Sequence, residues 1–155
     1  MKLTRTRVYV SGPLTSKNNL AALKTFYERI GRLCERKGME AYIPHDFTDP
    51  TLHPDIEPKV VYRQDVQQIA KSDLVIAYVG LPSHGVGAEI ERAYHEKVDV
   101  IVLYERNARV SRFIRGCPAI VKEVVFSDFA DALEKLDSVL DQRLGKSHSA
   151  DRGRA

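Results

Sequence analysis

The chain has 155 residues, 43% of them hydrophobic and 29% charged, with a formal net charge of +3, the profile of one soluble globular domain with a proper core. No apolar run approaches the roughly 18 residues that a membrane span needs, and so small a charge argues against nucleic acid or another polyanion as partner. The two cysteines, Cys34 and Cys117, form neither a disulfide framework nor a zinc site, and the first seven residues lead into a strand with no signal-peptide pattern, so a cytoplasmic protein is expected.

Arg7-Val-Tyr-Val-Ser11 reads as the first strand, punctuated by Gly12-Pro13. The loop from Leu14 to Asn19 is polar and carries Lys17; it has neither the glycine spacing of a P-loop nor a dinucleotide fingerprint. Leu20 to Lys37 follows helical spacing, with Leu23, Phe26 or Tyr27, Ile30, Leu33 and Cys34 inward, and Gly38 ends it. Met39 to Ile43 is a second strand. The next stretch, Pro44 to Pro58, contains four prolines and is expected to be extended and free of regular structure. Loops of about this length often form one side of a substrate pocket, and His45 is a candidate substrate contact there. His45, Asp46, Asp49, His53 and Asp55 lack the spacing of a ligand set, and no metal is expected.

Lys59 to Lys71 forms the next helix. Val61, Asp65 and Ile69 recur every four residues, so Asp65 interrupts an apolar stripe. Leu74 to Val79 is a continuous apolar run, as in a strand buried on both faces. Gly80-Leu-Pro-Ser-His-Gly85 then breaks regular structure and a helix begins at Val86, its free N–H groups a ready place for an anion. Val86, Glu89, Ile90 and Ala93 share the inner face of that helix. A single carboxylate in such a position is most often an ordinary salt-bridged glutamate. Two of them, Asp65 and Glu89, on the helices flanking one central strand read as a deliberate pair, because paired acids in different environments are how enzymes separate an acid from a nucleophile.

Asp99 to Tyr104 is the fourth strand. Arg106, Arg109, Arg112 and Arg115 would line one side of a helix, either as a solvated face or as a site for phosphate or a subunit contact. Glu123 to Phe126 is a fifth strand, and Ser127 caps a final helix to about Leu144. Residues 145–155 are polar and charged and are expected to be a disordered tail outside the 1–144 domain. Strands alternating with helices predict a doubly wound α/β fold, Rossmann- or flavodoxin-like, with a five-stranded parallel sheet flanked by helices. Its site belongs at the carboxyl ends of the strands, where the Gly12, Pro44–Pro58 and Gly80–Gly85 loops emerge.

Val-Tyr-Val-Ser-Gly at 8–12, Tyr-Glu-Arg-Ile at 27–30, Asp65, Ala-Lys-Ser-Asp-Leu-Val-Ile-Ala at 70–77, Pro-Ser-His-Gly-Val-Gly-Ala-Glu at 82–89 and Phe-Ile-Arg-Gly at 113–116 resemble the nucleoside 2-deoxyribosyltransferase superfamily. The match is nearest to its 2′-deoxynucleoside 5′-phosphate N-hydrolase branch and extends to about residue 140. The resemblance implies that Glu89 attacks the anomeric carbon, that Asp65 positions the sugar and protonates the departing base, and that Tyr9 orients the nucleophile. It implies further that Gly12, Ser83 and Gly85 line the sugar-phosphate site, that Ser111 reaches the phosphate from a neighbouring subunit of a homodimer, and that no cofactor is used. A 5′-phosphate would meet the N–H groups around Gly85–Gly87. The loop Gly12-Pro-Leu-Thr-Ser-Lys17 departs from the glycine- and arginine-containing loop of the N-hydrolase branch, with Lys17 as a substitute for phosphate contact.

The implied reaction is hydrolysis of the N-glycosidic bond of a (deoxy)nucleoside 5′-monophosphate to free base and (deoxy)ribose 5-phosphate, with a small-molecule nucleotide as the only substrate. Base exchange by a deoxyribosyltransferase is one alternative. A ribose-tolerant relative acting on cytidine monophosphate and a non-catalytic nucleotide-binding module are others.

Overall fold

The computed structural model describes residues 5–152. Five strands alternate with six helices: β1 (Arg7–Ser11), α1 (Leu20–Arg36), β2 (Glu40–Tyr42), α2 (His45–Thr48), α3 (Pro58–Ala70), β3 (Leu74–Tyr78), α4 (His84–His95), β4 (Asp99–Glu105), α5 (Arg112–Arg115), β5 (Ile120–Phe126) and α6 (Phe129–Arg152). All strand pairs are parallel and the sheet order is β2-β1-β3-β4-β5. The order reverses between β1 and β3, which is where a doubly wound sheet opens a crevice at its carboxyl edge.

Strand alternation divides the interior in two. Val8, Val10, Leu74, Ile76, Tyr78, Ile101 and Leu103 pack with α1 and α6, where Phe26 stacks on Phe129 with ring centroids 4.2 Å apart. Tyr9, Val75, Ala77, Val100 and Val102 pack on the opposite face with Ile69 of α3 and Val86, Ile90 and Ala93 of α4. Ser11, two residues after Tyr9, follows the same alternation and is buried. The odd positions of β1 therefore point at the two helices that carry Asp65 and Glu89.

Several elements depart from what the sequence predicts. The Pro44–Pro58 segment is not wholly irregular. Pro44 takes the N-cap position of α2, where a missing N–H costs nothing, and the Thr48 hydroxyl donates to the Pro44 carbonyl at 3.2 Å. The buried Asp49 then ties the segment down: its carboxylate accepts from the Thr51 N–H at 2.8 Å and pairs with Lys24 of α1. Helix α4 begins at His84 rather than Val86, because Ser83 serves as its N-cap and accepts from the Val86 N–H. The arginine series does not share one helix face, since only Arg112–Arg115 is helical. The last helix is capped one residue later than expected, by Asp128, whose Oδ1 accepts from the Asp131 N–H at 2.9 Å, while Asp131 reaches back to the Ser127 N–H at 2.8 Å. Helix α6 continues to Arg152, past Leu144, with no proline in that stretch to break it.

Candidate active site

Glu89 comes from the inner face of α4, six residues after Ser83 starts the helix. Beneath it the period-two pattern of β1 brings up two hydroxyls: Tyr9 donates to Glu89 Oε1 at 2.8 Å, and Ser11 donates to Oε2. Both oxygens of the carboxylate are thus fixed by donors from a central strand. A buried anion needs this compensation. Tyr9 is wholly buried, and burial, then the charges of Glu89 and Asp65, push its hydroxyl far above the usual tyrosine range. It is a permanent donor and cannot serve as a base.

Asp65 faces the same space from α3. Its Oδ1 is buried and has no hydrogen-bond partner. Burial lifts its carboxyl to about 6, with the Tyr9 hydroxyl pulling the other way. Burial lifts Glu89 to about 7; the Ser11 and Tyr9 hydroxyls pull it back, and the Asp65 charge adds a smaller upward push. These are two interacting acids that titrate as a pair, and near pH 6–7 the pair holds about one proton. Opposed influences set where that proton sits: burial is deeper at Glu89, while its two hydroxyl donors stabilise a carboxylate there and the buried, unpartnered Oδ1 of Asp65 favours a neutral acid.

Asp65 and Glu89 both line a cavity of about 820 Å³, with Gly12, His45, Ser83 and Gly85 also on its walls. Gly12 has a steric reason to be glycine, since a Cβ there would lie 2.2 Å from Cζ of Tyr27, whose hydroxyl donates to the Pro13 carbonyl. At the start of α4 the Val86 N–H is taken by Ser83 Oγ and the Gly87 N–H by the Ser83 carbonyl. His84 and Gly85 then carry the N–H groups a bound anion would meet.

The structure does not bring every expected residue to this cavity. Lys17 is exposed and lies off its walls. Gly87 and Ser111 line a separate hollow of about 370 Å³ on the other flank of the first turn of α4, together with Leu81, Arg109 and Ile114. Arg115 is engaged by Glu123 at 3.1 Å. Ser11 is the residue sequence reasoning missed; its only signal was its place two residues after Tyr9 on the same strand face.

His45 is buried, with Nε2 at 3.3 Å from Glu28 Oε1 and 3.7 Å from Asp46 Oδ1. Among the described residues these three are the group whose ligand-type atoms, all within 4.8 Å of one another, could hold a metal ion. As arranged, the two carboxylates orient the imidazole at the cavity wall, while the separation of Asp49 onto Lys24 removes it from any such set.

The family model for nucleoside 2-deoxyribosyltransferases matches residues 8–142. A protein of Thermofilum pendens, provisionally named 2′-deoxynucleoside 5′-phosphate N-hydrolase 1, is 31% identical over 141 residues, covering 86% of this chain and 94% of its own. A protein of the same provisional name from Methanosarcina mazei is 33% identical over 133 residues, covering 83% of this chain and 80% of its own. Among solved structures, a CMP N-glycosidase of Clostridium botulinum superposes with a TM-score of 0.68 at 23% identity, over 86% of this chain and 99% of that one; at that identity the likeness shows the fold.

Proposed function

The chain belongs to the nucleoside 2-deoxyribosyltransferase family, and from that premise we propose that it hydrolyses the N-glycosidic bond of nucleoside 5′-monophosphates, with Glu89 as nucleophile and Asp65 as general acid. One observation carries the reading. A carboxylate clamped by two strand hydroxyls and a second carboxyl with a buried, unpartnered oxygen line the same cavity at the carboxyl edge of the sheet.

The chemistry follows from the two environments. A Glu89 oxygen forms a bond to C1′ as the bond from C1′ to the base nitrogen breaks, through an oxocarbenium-like state that the carboxylate charge stabilises. The proton on Asp65 passes to the departing base, which leaves neutral. Asp65, now a carboxylate, takes a proton from water. The water oxygen attacks C1′, the glycosyl ester breaks, and Glu89 returns as the anion held by Tyr9 and Ser11. The donors need no rearrangement during the cycle, which is how preorganised dipoles lower a barrier. A 5′-phosphate fits the N–H groups at the start of α4 beside Ser83.

Ser111 and Gly87 lie away from the cavity of their own chain. This agrees with a homodimer in which Ser111 completes a neighbour's phosphate site. The exposed Phe113 and Leu81 near the second hollow give that contact an apolar component.

Ribo- and deoxyribonucleosides, each with and without a 5′-phosphate, are to be assayed for released base, with a second free base added in parallel. Free base and sugar phosphate from the monophosphates alone supports hydrolysis. An exchanged nucleoside would establish transfer instead, and saturable binding without release from any substrate would reduce the protein to a binding module.

A further inference from the structure

Helix α3 carries Asp65, yet among its residues Ile69, one turn further on, is the buried one. Apolar packing alone therefore fixes the C-terminal half of the helix better than the half that presents the acid. A polar contact fills that gap. Gln64, immediately before Asp65, donates through Nε2 to the Tyr42 hydroxyl at 2.9 Å.

Tyr42 is not an arbitrary acceptor. It pairs directly with Tyr9 in the β1–β2 register, so the two side chains leave the sheet on the same face. Their rings stack with centroids 5.6 Å apart and planes 19° from parallel. Phe47 of α2 closes the other side of Tyr42, at 4.8 Å and 4°. Tyr42 is thus sandwiched between the residue that holds Glu89 and a residue of the Pro44–Pro58 segment, while its hydroxyl holds the helix that carries Asp65. One side chain spans both acids.

We propose that Tyr42 and Gln64 are positioning residues that set the separation of Asp65 and Glu89, Tyr42 acting on Glu89 through the stacked Tyr9 ring and on α3 through Gln64. Neither touches the reacting atoms. The assignment rests on the reaction proposed above for its kinetic consequence, but not for its geometric one. The β2 edge strand has only three residues, so its own ladder holds Tyr42 weakly and the two stacked rings supply the rest of its orientation. The titratable groups facing Asp65 are Tyr9 from β1, Tyr42 from β2 and Glu89 from α4; Asp46 of α2 faces Tyr42 from the outer side.

The test uses Tyr42→Phe, which keeps the ring stack and deletes the acceptor, Gln64→Leu, which deletes the donor, and the double variant. Each is checked for an unchanged fold by circular dichroism. Carboxyl ¹³C NMR then follows the titration of Asp65 and Glu89 without any substrate. Loosening α3 admits water to Asp65, so its midpoint falls toward the ordinary aspartate range in both single variants, by the same amount in the double, while Glu89 moves less. In turnover, kcat falls several-fold with KM nearly constant, and the double variant is no worse than either single one. An Asp65 midpoint that stays put in Tyr42→Phe overturns the inference, as do single effects that add in the double variant. Wild-type protein that releases no base from any nucleotide overturns the proposed reaction, and the NMR result still decides the role of Tyr42 and Gln64.

Discussion

Two of the tyrosine–glutamate hydrogen bonds in the sheet are of equal length and lie on opposite faces. Tyr9 of β1 donates to Glu89 at 2.8 Å on the α3/α4 side, and Tyr78 of β3 donates to Glu105 at 2.8 Å on the α1/α6 side. Donor, acceptor and distance are the same, so the hydrogen bond itself cannot be what makes a site. The surroundings differ. Glu89 opens onto a cavity, receives a second hydroxyl from Ser11 and faces another acid, Asp65. Around Glu105 the space is filled: a Cβ on Gly80 would lie 2.1 Å from Glu105 Oε2 and 2.5 Å from the Tyr78 hydroxyl. One pair braces a loop against the core, and the other holds a carboxylate at the wall of a cavity.

The sharpest break in the comparison is amide substitution of each acid. Glu89→Gln preserves volume and an acceptor for the hydroxyls but removes the proposed nucleophile. Base release should drop by at least about 10³-fold, or some 4 kcal/mol of barrier. Glu105→Gln should change it less than about 3-fold by the same conversion. Comparable losses in both variants would make the pairs equivalent and remove the distinction. Asp65→Asn comes next. Loss of a general acid costs on the order of 10²–10⁴, and the loss should shrink for bases that leave readily without a proton. A loss that is uniform across good and poor leaving groups would count against proton donation.

The same two acids carry a stability cost with a definite sign. Both have folded-state values above the ordinary carboxyl range, at about 6 for Asp65 and about 7 for Glu89. Their contribution to stability is complete below about pH 4, where folded and unfolded states are both protonated, and is lost as pH rises through 6 to 7. Asp65→Asn and Glu89→Gln should therefore raise the melting temperature at pH 8 and not at pH 4. Partial exposure reduces the gain to about 1–2 kcal/mol each, or roughly 2–8 °C for a domain of this size. Glu105→Gln should leave that pH dependence in place. Thermal melts across pH 4–8 read the pattern, and a neutral-pH destabilisation in both amide variants would show that the acids are structural.

Removing the tyrosine hydroxyls separates the pairs by kind of effect. Tyr9→Phe takes a donor from the carboxylate proposed to react, and a hydrogen bond to a charged group is worth about 1.5–3 kcal/mol, so turnover should fall on the order of 10–100-fold. Tyr78→Phe should cost about 1 kcal/mol of stability and leave kinetics nearly untouched.

How legible all this was in the sequence depended on range. Asp65 and Glu89 stood out because each breaks a helical apolar stripe, a signal contained within a dozen residues. The sheet and its buried β3 followed from the same local periodicities. Tyr9 was placed by resemblance, not by pattern, because a tyrosine inside a β-rich apolar run looks like core. Ser11 and Tyr42 were invisible as functional residues, since their meaning arises from partners 78 and 22 positions away, on Glu89 and Gln64. Four prolines concealed α2, although one of them starts it. Gly87 lies two residues from both Gly85 and Glu89 and so turns to the other flank of α4, because three and four residues along a helix share a face while two do not.

Ser11 itself gives the finest discrimination, because its hydroxyl is what Glu105 lacks. Ser11→Ala leaves Tyr9, the cavity and Asp65 in place and turns the Glu89 environment into that of a singly held carboxylate. The lost donor stabilised the ionised form, so Glu89 must become a weaker acid. A hydrogen bond to a charged group, at about 1.5–3 kcal/mol, corresponds to a shift of about one to two pH units. If Glu89 reacts as the anion, the acidic limb of kcat/KM should move to higher pH by that amount. Activity at pH 6 should fall on the order of 10–100-fold, and the loss should shrink steadily as pH rises past 8, where the carboxylate is formed without help. An acidic limb that stays in place while activity falls equally at every pH would mean that Ser11 touches the substrate rather than the nucleophile, and the second donor would then no longer be what distinguishes the two tyrosine–glutamate pairs.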